Sequence, residues 1–270
     1  METRQRYTTI LHGVNDAGVK NIIKKALELA NEFENVSRIV LVSYTLTNAE
    51  WIERIYGKGS LKNFIKGVKF QGCKVPVKYE SLNTYRHLPN EIIITLGLRS
   101  DDILKLDNNN KINSILSFPW ILSELEKWSK ITESVCIDNN LPTASYPNPD
   151  CIVRSALATL NEGILVTGLS HASDKECAQK HLEALKSENF NLDELEIESF
   201  LFKELNWKKE FIDEFIELVK RLNNGRILKK FAEDDLKALL DRWKNICDPK
   251  NTPDSLVEVE QKVNAKENSN

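Results

Sequence analysis

The residues ILVTGLSHASDKE, at positions 164–176, set an apolar run against Gly168, Ser170, His171, Ser173, Asp174 and Glu176. A junction of this kind, where an apolar strand gives way to a helix start, is where open α/β sheets gather their ligand contacts. Three other apolar runs end in the same way. LHGVNDAG offers His12, Asn15 and Asp16, VSYTLTN offers Ser43, Tyr44, Thr45 and Asn48, and LGLRSDD offers Gly97, Arg99, Ser100 and Asp101. Free amides at a helix start attract anions. His12, Asn15, Asp16, Ser43, Thr45, Arg99 and His171 are therefore expected to line a pocket for an anionic, nucleotide-like small molecule, as hydrogen-bond partners with no catalytic role assigned. The same residue types also cap helices. SDKE at 173–176 fits a capping box, with Ser173 as N-cap and Glu176 reaching back.

Sharper chemical signatures are missing. HGVNDAG places Gly13 and Gly18 after the first strand-like run, but neither G-x-G-x-x-G nor a following GK[ST] occurs. A redox dinucleotide site and a P-loop are both disfavoured, and no cofactor is indicated. G-x-S-x-G is also absent. A hydrolase, of which a nuclease is one form, would have to use His12 or His171 as general base. PNPD at 147–150 opens like a PD-(D/E)xK nuclease site, yet NEGILVTG carries no lysine to complete it. Cys73, Cys136, Cys151, Cys177 and Cys247 are scattered without metal-ligand spacing, so no metal site is expected. Reduced thiols in a cytoplasmic protein are the expectation.

Lysines supply the most regular charge pattern. Lys58, Lys62, Lys66 and Lys69 follow at spacings of four, four and three, which would stripe one helix face opposite Leu61, Phe64, Ile65 and Val68. From Lys58 to Arg86 there are seven basic residues and one acid, Glu80, in a chain of net charge −3. A solvated helix face accounts for such a stripe, and so does contact with phosphates of a ligand or nucleic acid.

The elements that would position these groups can be read from periodicity. YTTILHG, SRIVLVSYT and NEIIITLGLR are strand-like runs, and Ile22, Ile23, Ala26, Leu27 and Ala30 mark an intervening amphipathic helix. NAEWIERIYGKGSLKNFIKGVKF is helical with a break near Gly57 and Gly59, CKVPVKYES is demoted to an edge strand by Pro76, and INSILSFPWILSELEKWSKI is helical after Pro119. ESVCID adds a short strand. Trp120 and Trp128, eight apart, should share a packed helix face. NNLPTASYPNPD, at 139–150, reads as a linker, after which nearly everything to Asn245 is helical.

These elements describe an α/β chain. Residues 1–140 form a Rossmann-like, doubly wound unit with a mainly parallel sheet, 148–247 a mainly helical region suited to protein partners, and 248–270 a flexible polar tail. No apolar run approaches the roughly 18–20 residues that span a bilayer, and no secretory signal is evident, so no membrane partner is expected. A purely structural or interaction protein, built on the helical half, is the remaining reading.

Overall fold

Runs of β-branched residues with no polar alternation suit strands covered on both faces. The computed structural model, which describes residues 4–165 and 168–248, uses them in this way. A first compact unit extends to Tyr146 and a second begins at Pro147. In the first, β1 (Gln5–Thr8), β2 (Arg38–Ser43), β3 (Val68–Lys69), β4 (Pro76–Ser81), β5 (Glu91–Leu96), β6 (Ile112–Phe118), β7 (Val135–Cys136) and β8 (Leu141–Pro142) form one sheet. Its order is β3-β4-β2-β5-β6-β1-β7-β8. The six inner strands pair in parallel, and β3 and β8 add short antiparallel edges, so the sheet is mixed.

Helices α1 (Asp16–Glu32), α2 (Glu50–Tyr56), α3 (Ser60–Lys66), α4 (Ser100–Asp107) and α5 (Ser123–Thr132) lie in the connections. Ile22, Ile23 and Ala26 of α1, Ile52 of α2 and Phe64 of α3 share one core with Ile39, Leu41, Ile92, Ile94, Leu116 and Phe118. The alternate residues Val40, Val42, Ile93 and Ile115 point to the other face of the pleat and are fully buried as well.

Buried charge ties the strands to one another and to their connections. The Asp107 carboxylate accepts from Arg4 Nη1 at 2.6 Å, Arg6 Nε at 2.9 Å and Trp128 Nε1 at 2.9 Å. Arg38 reaches Glu91 at 2.9 Å and Glu80 at 2.8 Å, joining β2 to both of its neighbours. The Tyr85 hydroxyl closes on Glu91 from the β4–β5 loop.

Several sequence expectations need correction. INSILSF, to which no element was assigned, is β6, a central strand that ends before Pro119, and the helix expected after Pro119 runs from Ser123. β4 is internal, flanked by β2 and β3; Pro76 is its first residue, where a missing N–H costs no inner ladder bond. The lysine stripe does not lie on one helix. Gly57 and Gly59 adopt positive φ, so α3 spans only Ser60–Lys66; Lys58 sits in the preceding turn and Lys69 on β3, and Ile65 is exposed.

The second unit contains α6 (Cys151–Gly163), α7 (Ala172–Ser187), α8 (Glu194–Lys203), α9 (Lys209–Asn223) and α10 (Glu233–Cys247). The GILVTGLS run was expected to be a strand or connector. Gly168–Ser170 form one 3-10 turn, Val166 and Thr167 lie outside the described residues, and the sheet ends at Pro142 among those described. The proposed capping box is absent: His171 takes the N-cap place without a side-chain bond, and Glu176 pairs with Lys229 at 2.7 Å. The expected polar tail, 249–270, lies outside the described residues. No described helix is long and apolar enough to cross a membrane.

Cys151 and Cys247 are joined, correcting the expectation of five reduced thiols. The bond ties the start of α6 to the end of α10 across 96 residues and sits uneasily with a reducing compartment. A loop of that length restricts the unfolded chain by about 4–5 kcal/mol. Cys151→Ser or reduction should lower the helical unit's melting temperature, read by circular dichroism with and without reductant. His181, 6% exposed, holds its Nδ1 2.9 Å from the Cys177 carbonyl, and its ring is 5.2 Å from that of Trp243. Burial pushes its pKa below the ordinary imidazole value of 6.5, with Lys180 and Arg242 acting in the same direction. The unfolded chain therefore takes up a proton that the folded one refuses. Stability from this group is complete above about pH 6.5 and declines as pH falls from there toward the lower folded pKa. Thermal melts between about pH 7.5 and 5 should show the loss, and His181→Gln should flatten it.

Candidate functional site

Four adjacent parallel strands, β2, β5, β6 and β1, end on one rim, and a cleft of about 510 Å³ opens there. Tyr44 enters from the β2 exit, Gly97 and Arg99 from the β5 exit, and Trp120 and Ile121 from the β6 exit. Asp102 on α4 and Glu124 on α5 supply two carboxylates. Another depression, about 320 Å³, lies against Arg38, Lys78 and Glu80, which are joined by ion pairs.

Gly97 shapes the cleft. Its φ is +64°, and a Cβ there would fall 1.8 Å from Trp120 Nε1. Only a residue without a side chain lets the indole lie over the β5 exit, where Phe118 meets it edge-on with ring centres 6.0 Å apart. Tyr44 forms the opposite side. Its hydroxyl donates to Asp102 Oδ2 at 2.6 Å and accepts from the Arg99 amide at 3.1 Å. Burial, then the Asp102 hydrogen bond, raises the phenol pKa, so Tyr44 stays a proton-bearing donor. Ser100 Oγ donates to the Glu124 carbonyl at 2.7 Å and accepts from Trp128 N at 3.0 Å, which fixes α5 and its carboxylate beside α4. Arg99, its side chain 74% exposed, is 3.6 Å from Glu124.

Among the residues expected to line a pocket, Arg99 is in the cleft wall. Asn15 caps α1, its Oδ1 accepting from Gly18 N at 2.9 Å. Asp16 is held by Arg54 at 2.5 Å, and that guanidinium keeps its carboxyl below the usual range. Ser43 is buried, its hydroxyl 2.8 Å from the Thr45 carbonyl and 2.5 Å from the Tyr79 hydroxyl, where it pins the β2 exit. Thr45 is exposed and meets Thr47 at 2.9 Å. His12 is exposed, with Nδ1 3.2 Å from the Ile10 carbonyl. His171 belongs to the second unit. Neither histidine lines the cleft.

The groups that sequence reasoning missed are Trp120, Asp102 and Glu124. Trp120 does not share a helix face with Trp128: it precedes α5, while Trp128 is fully buried within it. Asp102 looked like first-turn helix charge, which it also is. Pro119, breaking the chain between an apolar run and a tryptophan, was the available signal. No group of three or more His, Cys, Asp or Glu among the described residues is arranged to hold a metal ion.

Residues 149–244, spanning α6 to most of α10, match a family described as a domain of unknown function (DUF1889). No curated protein and no solved structure matches the chain. The family match covers helices of the second unit and none of the cleft residues.

A methyl group at position 97 tests the cleft's construction. Gly97→Ala should cost about 1–3 kcal/mol from the strained φ alone, and it should also displace the indole. Near-ultraviolet circular dichroism and a denaturant melt should record the two effects together.

Proposed function

We propose that the first unit is a Rossmann-like, doubly wound module that holds a nucleotide-like ligand in the cleft, and that the helical second unit is an interaction region. The winding supports this reading. The chain passes from β1 to β2 and β4 in one direction along the sheet, and from β5 through β6 to β7 in the other. With right-handed crossovers, α1–α3 and α4–α5 fall on opposite faces. The direction reverses between β2 and β5, the place where such sheets bind ligands and where Tyr44 faces Gly97 and Arg99 across the cleft.

The carrying observation is the indole of Trp120 set against two carboxylates in a cleft of nucleoside size. A flat base suits the aromatic wall. Asp102 and Glu124 accept hydrogen bonds from hydroxyl or amino groups, as an acidic residue does for a ribose. Arg99 is the one cation lining the cleft and is balanced by Glu124, so a phosphate belongs at the outer lip, against the exposed guanidinium. This divides the ligand into an uncharged part inside and an anionic part outside.

Titration with nucleosides and their mono- and diphosphates should quench tryptophan emission and raise the melting temperature. The quench should disappear in Trp120→Ala. Asp102→Asn should weaken binding by about tenfold, the equivalent of one charge-assisted hydrogen bond at about 1.5 kcal/mol. A panel without stabilisation, or identical binding by Trp120→Ala, removes the reading.

A further inference from the structure

We propose that the α2–α3–β3 segment is a binding surface for single-stranded nucleic acid, separate from the cleft and independent of what the cleft binds. Between Glu53 and Glu80 the chain has no acidic residue but carries Arg54, Lys58, Lys62, Lys66, Lys69, Lys74 and Lys78. Arg54 and Lys78 are committed to Asp16 and Glu80. The other five lysines are exposed and form no ion pair among the described residues. Glu53, in α2, places its carboxylate on the Gly59 amide at 3.1 Å, so this one acid stands at the turn and the five lysines outnumber it.

The way the lysines are mounted matters more than their number. Lys62 and Lys66 are one helical turn apart on α3. Lys69 follows on β3, at the edge of the sheet, opposite Pro76. Lys58 rides the turn formed by Gly57 and Gly59, around whose Cβ positions no atom lies within 4 Å. Three aromatic rings of the same segment pack on one another: Tyr56 lies 5.1 Å from Phe64 and 5.8 Å from Phe70, and Phe64 lies 6.0 Å from Phe70. Phe64 is buried, Phe70 half-buried and Tyr56 36% exposed, so a rigidly backed ring reaches the surface beside Lys58.

Exposed lysines on the same segment as a supported, partly exposed aromatic ring match a single strand, which offers phosphates and unstacked bases together. A duplex hides its bases and would use the lysines alone. A membrane surface would call for a broader apolar face than Tyr56 and Ile65 provide.

Fluorescence anisotropy of the full chain with a labelled single strand of about 20 nucleotides, and with the matching duplex, tests the proposal between about 25 and 250 mM salt. The single strand should bind more tightly than the duplex. Its affinity should fall with salt at a log–log slope of roughly 0.7 per phosphate contacted. Changing Lys58, Lys62, Lys66 and Lys69 together to Gln should weaken binding on the order of a hundredfold and flatten that slope. Tyr56→Leu should cost at least about fivefold for the single strand and nothing for the duplex, while Tyr56→Phe retains affinity. Because all four lysines are exposed, circular dichroism should show these variants folded. Absence of binding at the lowest salt, or binding unchanged in the four-lysine variant, overturns the proposal. So does equal single-strand and duplex affinity with Tyr56→Leu silent, or lysine-dependent capture by phosphatidylserine vesicles without oligonucleotide binding. Nucleoside titration of the four-lysine variant is a separate readout, so failure here and failure of the cleft reading are distinguishable.

Discussion

A carboxylate shut away from water survives as an anion only when its partners replace the lost hydration, and Asp107 is such a group. Arg4, just before β1, Arg6 within it and the indole N–H of Trp128 in α5 converge on it from two distant parts of the chain. Desolvating these charges costs several kcal/mol per ion, and removing one partner would leave the others uncompensated, typically at 3–5 kcal/mol. The arrangement therefore contributes geometric definition more than net stability. It fixes β1 against the α4–β6 turn, while Arg38 does the same for β2, β4 and β5. The Asp107 network and the Arg38–Glu91 pair stand at the amino-terminal ends of the strands. The opposite rim is left for irregular loops, and the cleft forms there.

That division explains what could be read from sequence. Core strands such as Arg38–Ser43 and Glu91–Leu96 declare themselves by unbroken apolar runs, and α1 and α9 by their helical spacing. The polar exits are also visible as sequence, but their roles depend on neighbours far along the chain. Asn15 and Ser43 carry chemistry suited to a ligand and spend it on backbone and on Tyr79. Asp102 looks like an ordinary first-turn charge until Tyr44, 58 residues earlier, is placed against it. Ile112–Phe118 was hidden by its junction with a genuine helix, since a short apolar run before a proline suits a strand or a helix equally. The Cys151–Cys247 bond was illegible for a similar reason: connectivity is a property of helix packing, and spacing carries no trace of it.

The second unit follows a different logic. Its helices bury Leu157, Leu182, Ile197, Phe215 and Trp243, and its buried charge is local: Lys209 pairs with Glu198 at 3.2 Å and with Asp213 one turn along α9. Asp193 caps α8 by accepting from the amides of Leu195 and Glu196. These features define a stable helical body and explain its polar residues without invoking a reaction. The match to DUF1889 falls on this body. The cleft residues lie in the first unit, outside the matched stretch.

Within that first unit, charge is sorted by position in the sheet. The carboxyl-end rim between β2 and β6 has two acids and one arginine in its cleft, while α3 and the β3 edge carry lysines without acids. Had the two been mixed, the lysines would have paired with Asp102 and Glu124 and neither surface would keep its character. The strand order contributes to the separation, since β3 and β4 are divided from β6, whose exit carries Trp120, by β2 and β5. The break at Gly57 and Gly59 completes it. A continuous helix would have striped its lysines along one solvated face, whereas the break leaves Lys58 in a turn, Lys62 and Lys66 on α3 and Lys69 on the edge strand.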